Sequence, residues 1–233
     1  MRFRVDPAVF DSFPEMTVVV VTTLGIDNGT PREAVTDGWR AAWQGAAAAA
    51  EFGNAQSHPR IAPWRQAWQR LGISGKRYPS SIEALVRRVL KGGDPPSINP
   101  LVDFYNAVSL RHVVPAGGFD LDDLDGDLSL RITTGGDTFQ ALDEEHPEPV
   151  PPGEVAYACG TTVLTRHFVW RQSRVGLIDR STRNVVLVSE ILGELPAGVV
   201  DSVERDLLDG LASDFGVEAT ACRMHADRRE MDW

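Results

Sequence analysis

"MTVVVVTTLGI", residues Met16 to Ile26, is the stretch on which the fold turns. It is about half as long as a helix that crosses a bilayer, and it lacks a signal-like cleavage pattern. Its valines and threonines are stiff at χ1 and suit extended backbone. It therefore reads as a buried strand, and the chain as one that does not enter a membrane. The balance of 42% apolar and 24% charged residues is that of an ordinary globular protein. At 233 residues one domain is expected. Cys159 and Cys222 lie far apart with no His or Cys at metal-ligand spacing. They read as structural thiols of a reducing cytoplasm, and no metal or cofactor is expected.

Helical signals gather before residue 110. Thr30 and Pro31 are placed to open a helix that runs through Trp39, Trp43 and the alanine tract Ala46 to Ala50. Trp64, Trp68 and Leu71 fall on one helical face with Arg65 and Arg70 on the other. "RYPSSIEALVRRVLKGG", residues 77 to 93, combines a serine cap, a first-turn acid at Glu83, last-turn cations and a Gly-Gly stop. Ile82, Leu85, Val86, Val89 and Leu90 form its apolar face. Ile98 to Leu110 resumes as a helix after Asp94-Pro95-Pro96.

Strand signals follow: Asp127 to Thr133, Glu154 to Ala158, Thr161 to Phe168, Asn184 to Ile191, and an edge strand within Gly216 to His225. Pro196 to Phe215 reads as an amphipathic closing helix. Helices first and strands after predict an α+β fold of layered mixed sheet, not alternating βαβ units. The expected organisation is a strand and helical layer over residues 1–58, a core over 60–192, and a closing helix and strand over 193–233.

Charge is uneven. The chain carries a net −10, which argues against non-specific nucleic-acid binding and against DNA as a partner. Yet from His58 to Lys91 eight Lys and Arg face Glu83 alone, whereas from Phe119 to Glu154 eleven acids face Arg131 alone. Helix-end chemistry accounts for part of the basic patch but not for Arg65, Arg70, Lys76 and Arg77. The acidic run Asp120 to Asp127 lacks the closing glutamate of a calcium loop. No Gly-rich phosphate loop, HExxH or G-x-S-x-G is present.

"YPSSIEALVRRVLKGG", "INPLVDFYNAVSL", "PAGGFDLDDLDGDLSLR", "PPGEVAYACG", "FVWRQS" and "STRNVVLVSE", in that order and spacing, resemble the tRNA-editing module (module 3/4) of the phenylalanyl-tRNA synthetase beta subunit, in its free-standing form. The resemblance covers roughly residues 60 to 192. It implies a layered α+β domain that serves translation fidelity by hydrolysing the ester between tRNA and a wrongly attached amino acid, tyrosine where phenylalanine belongs. It implies an aminoacyl-tRNA deacylase that does not itself aminoacylate, with tRNA as partner and an amino acid or aminoacyl ester in its pocket. Asn99, Val102, Asp103 and Asn106 match its N-x-x-V-D-x-x-N helix, Pro115, Phe119 and Asp120 its P-x-x-x-F-D stretch, and Arg131 a strand arginine. Asp103 and Asn106 can pin loops or touch substrate, and both readings stay open.

The chain departs from the synthetase pattern where the chemistry lies. Gly117 stands at the editing-site histidine, beside Gly118, and a glycine can admit a ligand but cannot donate a proton. Trp170-Arg171-Gln172-Ser173 replaces a glycine-rich turn, and Glu190 is the approximate counterpart of the glutamate that recognises the wrong amino acid. Asn106, Arg171, Ser173, Thr182 and His112 are the candidate replacement groups, and Trp170 can stack on the terminal adenine or sit in the core. Arg65, Arg70, Lys76, Arg77, Arg87 and Arg88 are the residues expected near phosphate. The competing readings are a non-catalytic binder of an amino acid or other small molecule, and an RNA-binding module with a vestigial pocket.

Overall fold

A computed structural model describes residues 1–48 and 51–233; Ala49 and Ala50 of the alanine tract lie outside the described residues. The elements in chain order are β1 (Arg2–Val5), α1 (Pro7–Ser12), β2 (Thr17–Thr23), α2 (Glu33–Ala48), α3 (Ala62–Arg70), α4 (Ser81–Leu90) and α5 (Pro100–His112). Then come β3 (Gly117–Asp120), β4 (Leu128–Ile132), β5 (Thr138–Phe139), β6 (Glu148–Pro149), β7 (Val155–Cys159), β8 (Thr162–Arg166), β9 (Arg171–Gln172) and β10 (Val185–Ile191). The chain closes with α6 (Val199–Gly210), a π-helical turn (Leu211–Phe215), β11 (Ala219–Met224) and β12 (Glu230–Asp232).

Two sheets form a mixed α+β architecture. One runs β11-β2-β10-β3, the other β12-β1-β4-β7-β8-β5-β6 with β9 on β8. β1 lies parallel to β4 and β5 parallel to β8, while the other pairings are antiparallel. The valine run explains the layering. Val18 and Val20 enter a core shared with Phe3, Leu128, Leu130 and Tyr157 of the larger sheet, while Val19 and Val21 face Leu101, Val108, Val203 and Leu207 of α5 and α6. A strand covered on both faces reads as a continuous apolar run. Residues 1–58 thus supply an interior strand of each sheet as well as α2, whose Trp39 and Trp43 pack with Ile82, Val86 and Leu110.

Several boundaries differ from the sequence reading. The helix expected at Pro31 starts at Glu33, because Asp27 Oδ1 accepts from Gly29 N and Thr30 N and holds that segment in a turn. Ser80 does cap α4, accepting from Glu83 N. Leu71 and Leu90 are exposed, since each sits at its helix end beyond the buried face. Helix α5 begins only at Pro100, and β3 and β12 carry no sequence signal of their own.

The start of α5 is tied down by two asparagines. Asn99 Oδ1 accepts from Val102 N and from Asn28 Nδ2, and Asn99 Nδ2 donates to Ile178 O at 3.1 Å. Asn28, fully buried, accepts from Leu101 N at 2.8 Å and donates to Asp179 O at 2.6 Å. Asp103 accepts from Ser97 Oγ and Ile98 N, which fixes the approach to the helix. Truncating Asn99 removes a cap and strands buried partners. Asn99→Ala is expected to lower unfolding free energy by about 2 to 3 kcal/mol, with Asn28→Ala close to it, as measured by urea denaturation.

Candidate functional site

Helix α5 ends in left-handed Val113 (φ 52°), and Ser109 Oγ donates to Val114 O, so the chain turns sharply into Pro115 and β3. Beneath that turn a cavity of about 180 Å³ opens between the two sheets. Tyr105 and Asn106 of α5 line one side, Pro115 to Phe119 a second, and Thr165, Trp170 and Gln172 a third. Tyr157 and Glu190 lie at its inner side.

Glu190 reaches the cavity by strand alternation: Val186, Val188 and Glu190 share the inter-sheet face of β10. It is buried, and Tyr157 Oη donates to its Oε1 at 2.5 Å. Burial pushes the Glu190 carboxyl up to about 7, against the opposing pull of the Tyr157 hydrogen bond. Burial and the neighbouring carboxyl push the Tyr157 hydroxyl well above its ordinary range, so it stays a donor. A proton affinity near neutrality in a cavity is the property of a group that can trade protons there.

The two glycines differ sharply. A Cβ built on Gly117 meets no atom within 4 Å, whereas one on Gly118 meets Leu187 Cδ2 at 2.7 Å and Val186 O at 2.8 Å. Gly118 is demanded by close packing of β3 on β10, and Gly117 leaves open space. Asn106 is half-buried and makes no side-chain hydrogen bond among the described residues.

The mouth is aromatic and basic. His167 and Phe168 both take left-handed backbone (φ 43° and 34°), a rare pair that drives Phe168 into the core and lets Val169 and Trp170 line the cavity. Trp170 meets Tyr78 edge-on with centroids 4.6 Å apart, and the Arg77 guanidinium lies 5.1 Å from the Tyr78 ring centroid. Ser81, at the start of α4, also lines the cavity and donates its N–H to Val169 O.

Other expected site residues lie elsewhere. Arg171 alternates away from the cavity and donates to Asp143 Oδ1 at 2.5 Å. Ser173, fully buried, donates to Gln140 O and accepts from Val175 N. Thr182 donates to Asp120 Oδ2 at 2.6 Å and accepts from Asp179 N. All three hydrogen-bond within the protein and do not join Glu190. His112 pairs with Asp206 of α6. Arg131 holds Asp137 in a two-pronged ion pair that closes the turn between β4 and β5. Asp122, Asp123 and Asp127 of the acidic run accept from Asn184, Gly176 N and Arg2 N, so that run pins loops.

The basic band is also partly committed. Glu83, 1% exposed, is held by Arg65, through Nε at 2.5 Å and a second contact, and by Arg87 at 2.6 Å. A buried carboxylate needs such partners, so these two arginines are counterions to Glu83 and not free phosphate contacts. Arg70 pairs with exposed Glu194 at 3.6 Å. Lys76, Arg77 and Arg88 form no ion pair among the described residues. A larger cleft of about 390 Å³ lies between α2, α4 and α5, but its walls are apolar and its one charged group, Arg111, is bound to Asp206. Tyr157, Thr165 and Gln172 are polar strand residues of the cavity that sequence reasoning did not single out. Their only signal is a polar side chain alternating inward on a strand.

Residues 63–195 match the B3/4 domain. The chain belongs to the B3/4 domain family. All the residues that line the cavity of this B3/4 domain lie within the matched range, as do α4, α5 and β3 to β10. A solved N-terminal fragment of the phenylalanyl-tRNA synthetase beta-subunit from Pyrococcus horikoshii is similar at 10% identity and a TM-score of 0.44. That likeness covers 95% of this chain and 53% of the other, so the B3/4 chain spans about half the length of that structure. No curated protein matches it. Among the described residues no three His, Cys, Asp or Glu gather as metal ligands, and no helix is long and apolar enough to cross a membrane.

Folded Glu190 holds its proton to about pH 7, while the unfolded residue loses it near 4.5. Unfolding therefore releases a proton in that window, and this group's contribution makes stability fall as pH rises through it. Glu190→Gln is expected to remove about 3 kcal/mol of that fall. Urea melts of wild type and variant across the window check it.

Proposed function

We propose that this B3/4 domain receives the aminoacyl end of a tRNA in the Glu190–Tyr157 cavity and hydrolyses the ester of a mischarged amino acid in trans. The observation that carries this reading is the junction of two features. Arg77, which forms no ion pair among the described residues, lies over Tyr78 at the rim beside Ser81 and Trp170, with Lys76 next to it in sequence and Arg88 two turns along α4. Phosphate contacts there would position the strand, and Trp170 with Tyr78 offers a face for the terminal base.

In the proposed step water attacks the ester carbonyl and the bond to the ribose oxygen breaks. The amino acid leaves as its carboxylate, one proton of the water passes to the ribose oxygen, and the other is released to solvent. Glu190 is the group with the affinity to relay the proton that the ribose oxygen takes. Backbone at the β3 edge, opened by Gly117, is the supply of amides for the developing oxyanion. A second reading, a binder of a free amino acid or of RNA without turnover, is favoured by Gly117 itself, because the position aligned with a catalytic histidine has no side chain.

Release of amino acid from a panel of correctly and wrongly charged tRNAs tests the two. Selective release by wild type, reduced at least about tenfold in Asn106→Ala and Glu190→Gln, is expected. No release across the panel sinks the hydrolytic reading and leaves binding. In the same preparations, Arg77→Ala and Arg88→Ala should each lower the slope of log affinity against log salt by about 0.7 to 0.9. Arg65→Ala should instead cost stability, since it leaves Glu83 with one partner.

A further inference from the structure

We infer that Gln172 is a specificity-determining residue of the cavity, its Nε2 donating to an acceptor atom on the bound group. This rests on the reading that the cavity is the ligand site. Gln172 sits on β9 directly opposite Thr165 of β8. Thr165 Oγ1 donates to Gln172 Oε1 at 3.2 Å, and Gln172 is one of the residues that line the cavity. The amide nitrogen, Nε2, is buried and has no hydrogen-bond partner among the described residues. A buried donor without a partner is costly, and of the described residues with such an atom Gln172 is the one that lines the cavity.

Its neighbours make the contrast. Arg171 and Ser173 spend their polar atoms on Asp143, Gln140 and Val175. Gln172 alone of the three turns into the cavity. Across from it, Glu190 has Oε1 engaged by Tyr157 and its second oxygen without a side-chain partner. The cavity thus offers the Gln172 amide as a donor and a Glu190 oxygen that accepts once the carboxyl is ionised. It is complementary to a neutral polar group, a hydroxyl or carboxamide, and is mismatched to an aliphatic group of the same shape. A carboxylate is disfavoured by ionised Glu190. A site built to hydrogen-bond its ligand rejects the isostere that lacks the polar atom, because its own groups are left unpaired.

The test uses the full chain and small probes that need no tRNA: threonine amide against valine amide, and asparagine amide against leucine amide, titrated by calorimetry. The wild type is expected to prefer the polar member of each pair by about tenfold or more. Gln172→Leu, and Gln172→Glu, which keeps the Thr165 contact but replaces the donor with oxygen, should both reduce the preference to about twofold. Thermal melts confirm that each variant folds. An unchanged preference in the variants, no preference in the wild type, or no binding of any probe overturns the inference. Discrimination among amides without release from charged tRNA overturns the hydrolytic reading alone, and release without discrimination overturns the role of Gln172 alone.

Discussion

The two asparagines at the head of α5 are the constraint on which the rest depends. A helix start leaves backbone N–H groups without partners, and here one side chain caps Val102 while a second takes the N–H of Leu101. The same pair grips the carbonyls of Ile178 and Asp179, so three segments distant in the chain meet at one buried point. Two turns further along, the helix presents Asn106 to the cavity, and at its far end left-handed Val113 delivers the chain to β3. The position of the cavity's roof is therefore inherited from hydrogen bonds at the opposite end of the helix. Asn28, which makes half of them, lies outside the residues that match the family.

Much of this architecture could be read from local pattern. The tryptophans of α3, the serine cap of α4 and the β-branched runs of β2 and β10 announce themselves, because periodicity and capping depend on near neighbours. What could not be read is what depends on distant ones. β3 is half glycine and forms only because Val185 to Val188 of β10 pair with it. The parallel pairing of β1 with β4, and the antiparallel pairing of β12 with β1, have no local signature. Glu83 looked like a first-turn acid suited to a helix dipole, yet its burial makes it the anchor of Arg65 and Arg87.

The candidate site divides along the same line. Asn106, Gly117, Gly118 and Glu190, found by their place in a motif, do meet in one cavity. Arg171, Ser173 and Thr182 were chosen for their chemistry, and their polar atoms are already bonded within the protein. Residue type marks what a side chain can do, whereas strand alternation decides which way it faces. Trp170 and Gln172 face the cavity while Arg171, between them, cannot. The uneven charge follows a similar logic: Asp120, Asp122, Asp123 and Asp127 are spent on loop geometry, and only part of the basic band is without an ion pair among the described residues.

Gly117 and Gly118 stand side by side with opposite freedom. At 118 the packing of β3 on β10 excludes even a methyl group, so that position is closed to change. At 117 the backbone is ordinary and the space beyond it is vacant. A lineage can therefore gain, lose or exchange a reactive side chain at 117 without disturbing the sheets, the helix or the carboxyl below. One scaffold can thus carry different side chains at the wall of its cavity, and proteins with this fold need not share a chemistry even where they share every contact that holds them together.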